Sequence, residues 1–344
     1  MIDLEAVVAL RAVATNGSVA AAADALGFTP SAVSQQIKRL ERGTRVALLE
    51  RAGRGVVLTD AGRHLVTSSA SVLADLERLE ADLQLAGGTP NADAAAARRI
   101  TGEVRIGAFS TAVRGLLTGV LARLQDEHPD LRAPMRESEP WETVALVASG
   151  QRDLGIVHRW GGVALAMPEH LVETPLFTDV ADVILRREHP LARRTELTPD
   201  DLADERWIAT FDSTICRQWL RRVFDGVANA PRIVHESMEF ENHLELVRAG
   251  LGVALVPRLG RSPLPDELVA IPTVRPASIR EISAVHRRSQ ADSPALQTVL
   301  DAVRGSAARL EGMAASAGPS RGARAAPSVD RDRRVARPLS SARR

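Results

Sequence analysis

The chain holds one cysteine, Cys216, among 344 residues, so no internal disulfide can form and a reducing compartment is expected. No apolar run approaches the ~20 residues a membrane-spanning helix needs. Charge of one sign is missing too. Lys plus Arg number 44 against 43 Asp plus Glu, a formal net charge of +1, so any positive charge offered to nucleic acid must be local. Basic residues are almost all arginine, a composition bias without functional weight. Catalytic signatures are also missing: there is no G-x-S-x-G elbow and no Walker A loop, and Gly250 to Val253 lacks the dinucleotide fingerprint. The 8 histidines are scattered without an H-E-x-x-H pair or paired cysteines, and His189 before Pro190 reads as a surface or packing residue. The expectation is a chain without catalytic residues, metal ligands or cofactor. Asp3, Glu5 and Arg11 interrupt the first apolar stretch, which argues against an export signal and for the cytoplasm.

What is present begins at residues 18–41. Val19, Ala22, Ala23 and Leu26 follow an i, i+3, i+4, i+7 pattern, with Ser18 placed to cap the first turn and Gly27 to end the helix. Thr29 offers a second cap and Pro30 fits the first helical position. In the next helix Val33, Ile37 and Leu40 share one face, while Ser31, Ser34, Gln35 and Lys38 share the other. Two short helices around a glycine turn form a helix-turn-helix, whose second helix enters a DNA major groove. An ordinary helical hairpin with a solvated face is the bland alternative. Leu48, Leu49, Val56, Val57 and Leu58 bracket Gly53-Arg54-Gly55, the pattern of a small hairpin with arginine at its tip. In a winged helix-turn-helix Arg51 and Arg54, helped by Arg45, would meet phosphates. Gln35 suits adenine through N6 and N7, and Lys38 suits guanine or a phosphate. From Thr59 onward Leu65, Ser69, Val72, Leu76, Leu79, Leu83 and Ala86 alternate steps of four and three, a coiled-coil seam that predicts a dimer strut.

Residues 4–62 resemble the winged helix-turn-helix of LysR-type transcriptional regulators. The matching blocks are Ala22-Ala23-Asp24-Ala25-Leu26, Ser31-Ala32-Val33-Ser34-Gln35-Gln36-Ile37, Leu40-Glu41, Leu48-Leu49-Glu50-Arg51 and Leu58-Thr59-Asp60-Ala61-Gly62. Many members have serine-glutamine-proline where this chain has Thr29-Pro30-Ser31, and arginine where it has Gln35. Both departures fall on the DNA-facing end of the helix and bear on the target sequence. The resemblance implies an inverted-repeat operator, a homodimer or homotetramer and a small-molecule effector, with RNA polymerase a further candidate partner. The DNA-binding set it points to is Thr29, Ser31, Ser34, Gln35, Lys38, Arg39, Arg51 and Arg54.

Gly87-Gly88, Pro90 and an alanine run mark a break. Beyond it strands are expected near 103–108, 131–137, 153–158, 180–185, 207–209, 233–235, 252–257 and 281–286. Helices are expected at 111–128, 141–149, 216–224, 241–249 and 293–310. Such alternation predicts a parallel-rich sheet flanked by helices. The two similar halves resemble the paired α/β subdomains of periplasmic binding proteins, as in the LysR effector domain, and Val247 to Pro257 resembles a recurring stretch of it. The fold class expected is multidomain: an all-α winged helix-turn-helix plus an α/β periplasmic-binding-protein-like effector domain of two subdomains. The expected boundaries are 1–58 for the head, 59–86 for the dimerisation helix and 87–101 for a flexible linker. The effector domain takes 102–310, its first subdomain 102–178 and 278–310, its second 179–277. A basic tail at 311–344, rich in alanine, serine, proline and arginine, is expected to be disordered.

Ligands in open α/β sheets sit beyond the carboxyl ends of strands, near helix N-termini. That places the candidate effector contacts at Ser110, Thr111, His158, Arg159, Trp160, Asp212, Ser213, Thr214, Met238 and Glu239. Asp212 and Glu239 beside Arg159 would suit a small charged metabolite such as an amino acid. The rivals are an enzyme, whose motifs are missing, and a solute-binding protein of the cell envelope, which would leave the first module unexplained.

Overall fold

The computed structural model describes residues 2–52, 55–86, 100–227 and 231–316. The head is built from α1 (Leu4–Asn16), α2 (Val19–Leu26), α3 (Pro30–Thr44), strands β1 (Leu49–Ala52) and β2 (Gly55–Leu58), and the opening turns of α4 (Asp60–Ala86). Each start has its cap: Asp3 accepts from Glu5 N, Ser18 from Ala21 N and Thr29 from Ala32 N. Gly27 closes α2 in the left-handed region at φ +72°, where a side chain would be strained. Val33, Ile37 and Leu40 of α3 join Ala22, Ala23 and Leu10 in one small core. β1 and β2 pair antiparallel from Leu49–Leu58 to Ala52–Gly55, the expected wing. Glu41 fastens this wing to α3, since its Oε1 accepts from Leu48 N (2.8 Å) and Leu49 N (3.2 Å).

The helix α4 divides its apolar positions. Leu65, Val66 and Leu73 pack against the head core, and Ser69 is buried. Val72 and Leu79, seven residues apart and so on one face, are 50% and 54% exposed. The start of the expected seam therefore serves the head. Leu83 and Ala86 have side chains outside the described residues, as does the linker at 87–99.

The second domain opens with β3 (Gly102–Glu103), β4 (Ile106–Ala108), α5 (Ser110–Ala112) and, after a π-turn at Val113–Leu117, α6 (Thr118–Glu127). One uninterrupted helix was the expectation there. The π-turn inserts where Gly115 meets the other half, a Cβ at 115 lying 2.5 Å from Leu259 and 2.6 Å from Gly260 N. Next come β5 (Leu131–Arg132), β6 (Met135–Glu137), α7 (Pro140–Ala148), β7 (Leu154–Trp160) and β8 (Leu171–Arg186). The second half holds β9 (Arg206–Ala209), α8 (Ile215–Val223), β10 (Arg232–Glu236), α9 (Phe240–Arg248), β11 (Val253–Pro257) and β12 (Leu268–Pro272). β13 (Ile279–Arg287) and α10 (Pro294–Ser316) return to the first half. α10 runs to Ser316, past the boundary expected at residue 310; residues 317–344 lie outside those described.

β3 and β5 pair separately, and the other strands of this domain form one path, β10-β9-β11-β8-β13-β7-β4-β6, with β12 paired to β8. Parallel pairs (β4 with β6 and β7, β9 with β10 and β11) flank a centre in which β8 runs antiparallel to β11, β12 and β13. The sheet is thus mixed where a parallel-rich one was expected. The sixteen-residue β8 replaces the short strand expected at 180–185, because its first half mixes buried and half-exposed positions without an apolar run. It pairs with β13 up to Val180 and with β11 from Ala181 onward, so one strand belongs to both halves. Among the described residues no single helix is long and apolar enough to cross a membrane; the bent pair α1–α2 passes such a test only jointly, at an angle of 118°.

Glu41→Ala should loosen the wing by leaving two backbone N–H groups without their charged acceptor, a loss of about 1–3 kcal/mol. Urea unfolding of the full-length protein followed at the head measures it; an unchanged midpoint would contradict the role given to Glu41.

Candidate DNA-reading face and effector cleft

On the head, Thr29, Ser31, Gln35, Lys38 and Arg39 are exposed and Ser34 is half-exposed, while Val33, Ile37 and Leu40 face inward. The spacing of these residues on one α-helix makes a single polar ridge open to solvent. Beside it runs an open groove whose lining carries Lys38, Arg39, Arg42 and Arg45 with one carboxylate, Glu41. Arg39 lies 3.6 Å from Asp3, and Arg42 Nε donates to Lys38 O. Thr29 acts as the helix cap, its hydroxyl spent on Ala32 N at 3.2 Å. Arg51 is exposed on β1; Arg54 lies outside the described residues.

The candidate cleft lies where four strand ends lead into helices: β4 into α5, β6 into α7, β9 into α8 and β10 into α9. Its organiser was missed from sequence. Arg280, 1% exposed, donates through Nε to Asp179 (2.9 Å) and through Nη2 to Thr111 Oγ1 (2.8 Å). Asp179 also accepts from Leu259 N at 3.0 Å. The guanidinium lies 5.1 Å from the Phe109 ring centroid and 5.7 Å from that of Trp160. Trp160 in turn stacks on Trp219 of α8 at 5.6 Å and 17°, and the Trp219 indole donates to Ser278 Oγ. This contact closes the two halves over one another: a Cβ at Gly161 would sit 2.6 Å from Trp219.

His158 packs edge-on against Phe109 at 4.5 Å, and burial, with Arg280 nearby, holds its pKa well below the usual value, so the ring is neutral. Its Nδ1 has no hydrogen-bond partner. Burial raises the Glu139 carboxyl to about 7, with Glu137 adding to the rise, Arg280 opposing it and Glu142 raising it further. Desolvation pushes the Cys216 thiol to about 12, against the pull of Arg280. A cavity of about 20 Å³ lined by Trp160, Thr210, Cys216, Arg217, Phe240 and His243 has room for one water-sized molecule.

Of the ten expected effector contacts, Thr111, His158 and Trp160 are buried in this cluster, and Ser110 stands half-buried at the start of α5. Thr214 is buried as the cap of α8, with its hydroxyl 2.7 Å from Thr210 Oγ1. Ser213, Met238 and Glu239 line exposed turns. Asp212 is exposed and paired with Arg221 at 2.6 Å. Arg159 is not in the cluster. Strand alternation turns it away from His158 and Trp160, and its Nη2 pairs with Glu173 at 2.5 Å. The expected grouping of Asp212 and Glu239 around Arg159 is therefore replaced by Arg280 with Asp179. Alternation around β7 was a usable signal for Arg159; nothing local marked residue 280. Among the described residues no group of three His, Cys, Asp or Glu side chains is placed to hold a metal ion.

Two family descriptions match the chain: bacterial regulatory helix-turn-helix protein, lysR family, over residues 4–63, and LysR substrate binding domain over residues 97–308. The chain is 28% identical over 314 residues to the transcriptional dual regulator OxyR of Escherichia coli, covering 90% of this chain and 95% of that one. It is 30% identical over 295 residues to the small neutral protease regulatory protein of Streptomyces coelicolor, covering 84% of each. Among solved structures, full-length OxyR from Pseudomonas aeruginosa superposes with a TM-score of 0.63 at 19% identity, covering 88% of this chain and 95% of that one. Full-length BenM gives 0.53 at 23%, covering 90% and 98%.

The raised Glu139 pKa sets a pH dependence. Between about 4.5 and 7 the folded protein keeps a proton that the unfolded chain has released, so stability falls as pH rises through that window. Glu139→Gln should remove up to about 3 kcal/mol of this fall, read as the difference between urea midpoints at pH 5 and pH 8. Equal pH profiles for the two proteins would contradict the buried, protonated carboxyl.

Proposed function

Because the chain belongs to the LysR family of bacterial transcription regulators, we propose that it reads an inverted-repeat DNA site through the exposed ridge of α3 and answers to a small molecule seated between its two α/β halves. It is a DNA-binding regulator; proteins of this family are transcription factors, which leaves the enzyme reading without a family basis. The observation that carries the DNA reading is the unburied row Ser31, Gln35 and Lys38 on a helix whose opposite face is core. Gln35 supplies base choice, Lys38 a base or phosphate contact, and Arg51 with Arg54 phosphate contacts from the wing. The exposed Val72 and Leu79 of α4 suit burial against a second copy. Such a dimer places its two reading helices on half-sites one turn of DNA apart, or a multiple of that.

For the effector, the inner contacts are Thr111, Glu139, Trp160, Thr210 and Thr214. The two buried cations at the cleft are already committed, Arg280 to Asp179 and Arg217 to Glu236. This favours a ligand recognised by hydrogen bonds and aromatic stacking over a simple carboxylate. Several relatives are hydrogen peroxide-inducible gene activators. Here a single cysteine with a raised thiol pKa offers no internal disulfide and little thiolate, which favours an organic metabolite.

Gln35→Ala should relax selectivity at one base pair by about 1–3 kcal/mol, whereas Arg51→Ala should weaken selected and random DNA alike. Fluorescence anisotropy on both DNAs over a salt series separates them. Equal losses on both DNAs for Gln35→Ala would show that it is not a base reader.

A further inference from the structure

The C-terminal end of α7 carries an arrangement that effector binding alone does not explain. The last carbonyls of a helix have no partners within it and favour nearby cations. At the end of α7 and in the turn that follows it, carbonyls are met by arginines from three separate segments, two of them reaching Val147 O and Ala148 O of the helix itself. Arg287 Nη1 donates to Val147 O (2.8 Å) and to Arg152 O (2.6 Å), and Arg105 Nη2 to Gly150 O (2.7 Å). The third comes from the DNA-binding head: Arg11 Nη2 donates to Ala148 O at 2.9 Å. About a turn and a half further along α1, Asn16 Nδ2 donates to Gln151 Oε1 at 3.2 Å. Arg11 is 8% exposed and Gln151 2%, so both contacts are shielded from water, where hydrogen bonds to a charged donor are worth most.

The burial of α1 agrees. Ala6, Val7, Ala9, Leu10, Arg11, Ala12 and Val13 are all buried. At 100° per residue they leave an arc of about 100°, on which the exposed Leu4 and half-buried Val8 lie, and Arg11 is buried at the border of that wet face. The reading ridge on α3 stays exposed, so these contacts orient the head without covering its DNA face.

The other end of the same helix lies in the effector cleft. Glu139 caps α7 with no side-chain hydrogen bond to it, beside Arg280. Nine residues, about 13 Å of helix, separate the cleft from the head contact. Val144 and Val147 bury one face of α7 in the core beside Val157 of β7 and Val285 of β13, and close packing of this kind makes the helix move as a unit.

We infer that the C-terminal end of α7 is a docking site for the head, and that α7 carries the state of the cleft to the head through Arg11 and Asn16. The inference rests on the reading of the cleft as the effector site for its biological meaning. The docking itself needs neither DNA nor ligand. A ligand at the cleft that shifts α7 favours one head orientation over another, and so one spacing of half-sites.

Hydrogen–deuterium exchange of the full-length protein, without DNA or added metabolite, tests this. Arg11→Ala should speed exchange at residues 148–152 about fivefold or more, a response expected for a locally destabilised unit. Gln151→Ala, made on the other side, should speed exchange at residues 12–17, which keeps the test open if the head of Arg11→Ala fails to fold. Glu139→Gln at the cleft end should change exchange at residues 12–17 in the otherwise unaltered chain, and lose that effect once Arg11 is alanine. Wild-type exchange at both segments in the Arg11 and Gln151 variants would overturn the docking. A response there without any effect of Glu139→Gln at the head would overturn the transmission through α7. Affinity for DNA, measured separately, distinguishes either failure from failure of the DNA-binding reading, since Gln151→Ala leaves the α3 ridge untouched.

Discussion

The effector half is assembled around one desolvated cation. Arg280 sits on β13 just after the chain returns from the second half, and Asp179 sits on β8 just before the chain leaves the first. Their ion pair therefore pins both crossover strands at one level, while Thr111 and the Phe109 and Trp160 rings complete the shell. Burying both charges is costly, and breaking such a pair by removing one partner costs about 3–5 kcal/mol. A second carboxylate on β8, Asp182, is 1% exposed and held by Arg258 and Arg261 from the turn after β11. Two buried acids on the one strand shared by both halves, each answered by arginine from a different segment, fix how the halves meet.

That geometry has a functional consequence. The cations in the cleft are spent on structure, and in the function proposed here that leaves hydroxyls, aromatic faces and the protonatable Glu139 for recognition. The head works by different physics: an uncovered polar ridge, local positive charge and a wing tied down through Glu41. The two modules meet through α4 and through the end of α7.

The head was legible in the chain because its signals are local. Caps, the glycine turn, the Pro30 start and helical periodicity are all read within about four residues, and each stands as expected from Ser18 to Leu58. The strand–helix alternation of the effector domain was legible for the same reason. Contacts between distant segments were not. Arg280 and Thr111 are 169 residues apart, and Arg11 and Ala148 are 137 apart. No periodicity reports such pairings, and an arginine bound for the core looks like any of the many arginines on the surface. The first half of β8 was missed because an antiparallel strand exposed on one side alternates too weakly to stand out. Arg159 was drawn into the site by its neighbours, although the period of two in a strand sends it to the opposite face.

Selection of bound sequences from a random DNA pool by the full-length protein tests the central claim most directly. The account predicts enrichment of two inverted half-sites whose centres lie about 10 base pairs apart or a multiple of that. A pool that shows no enriched motif, with equal affinity for all sequences, would contradict it.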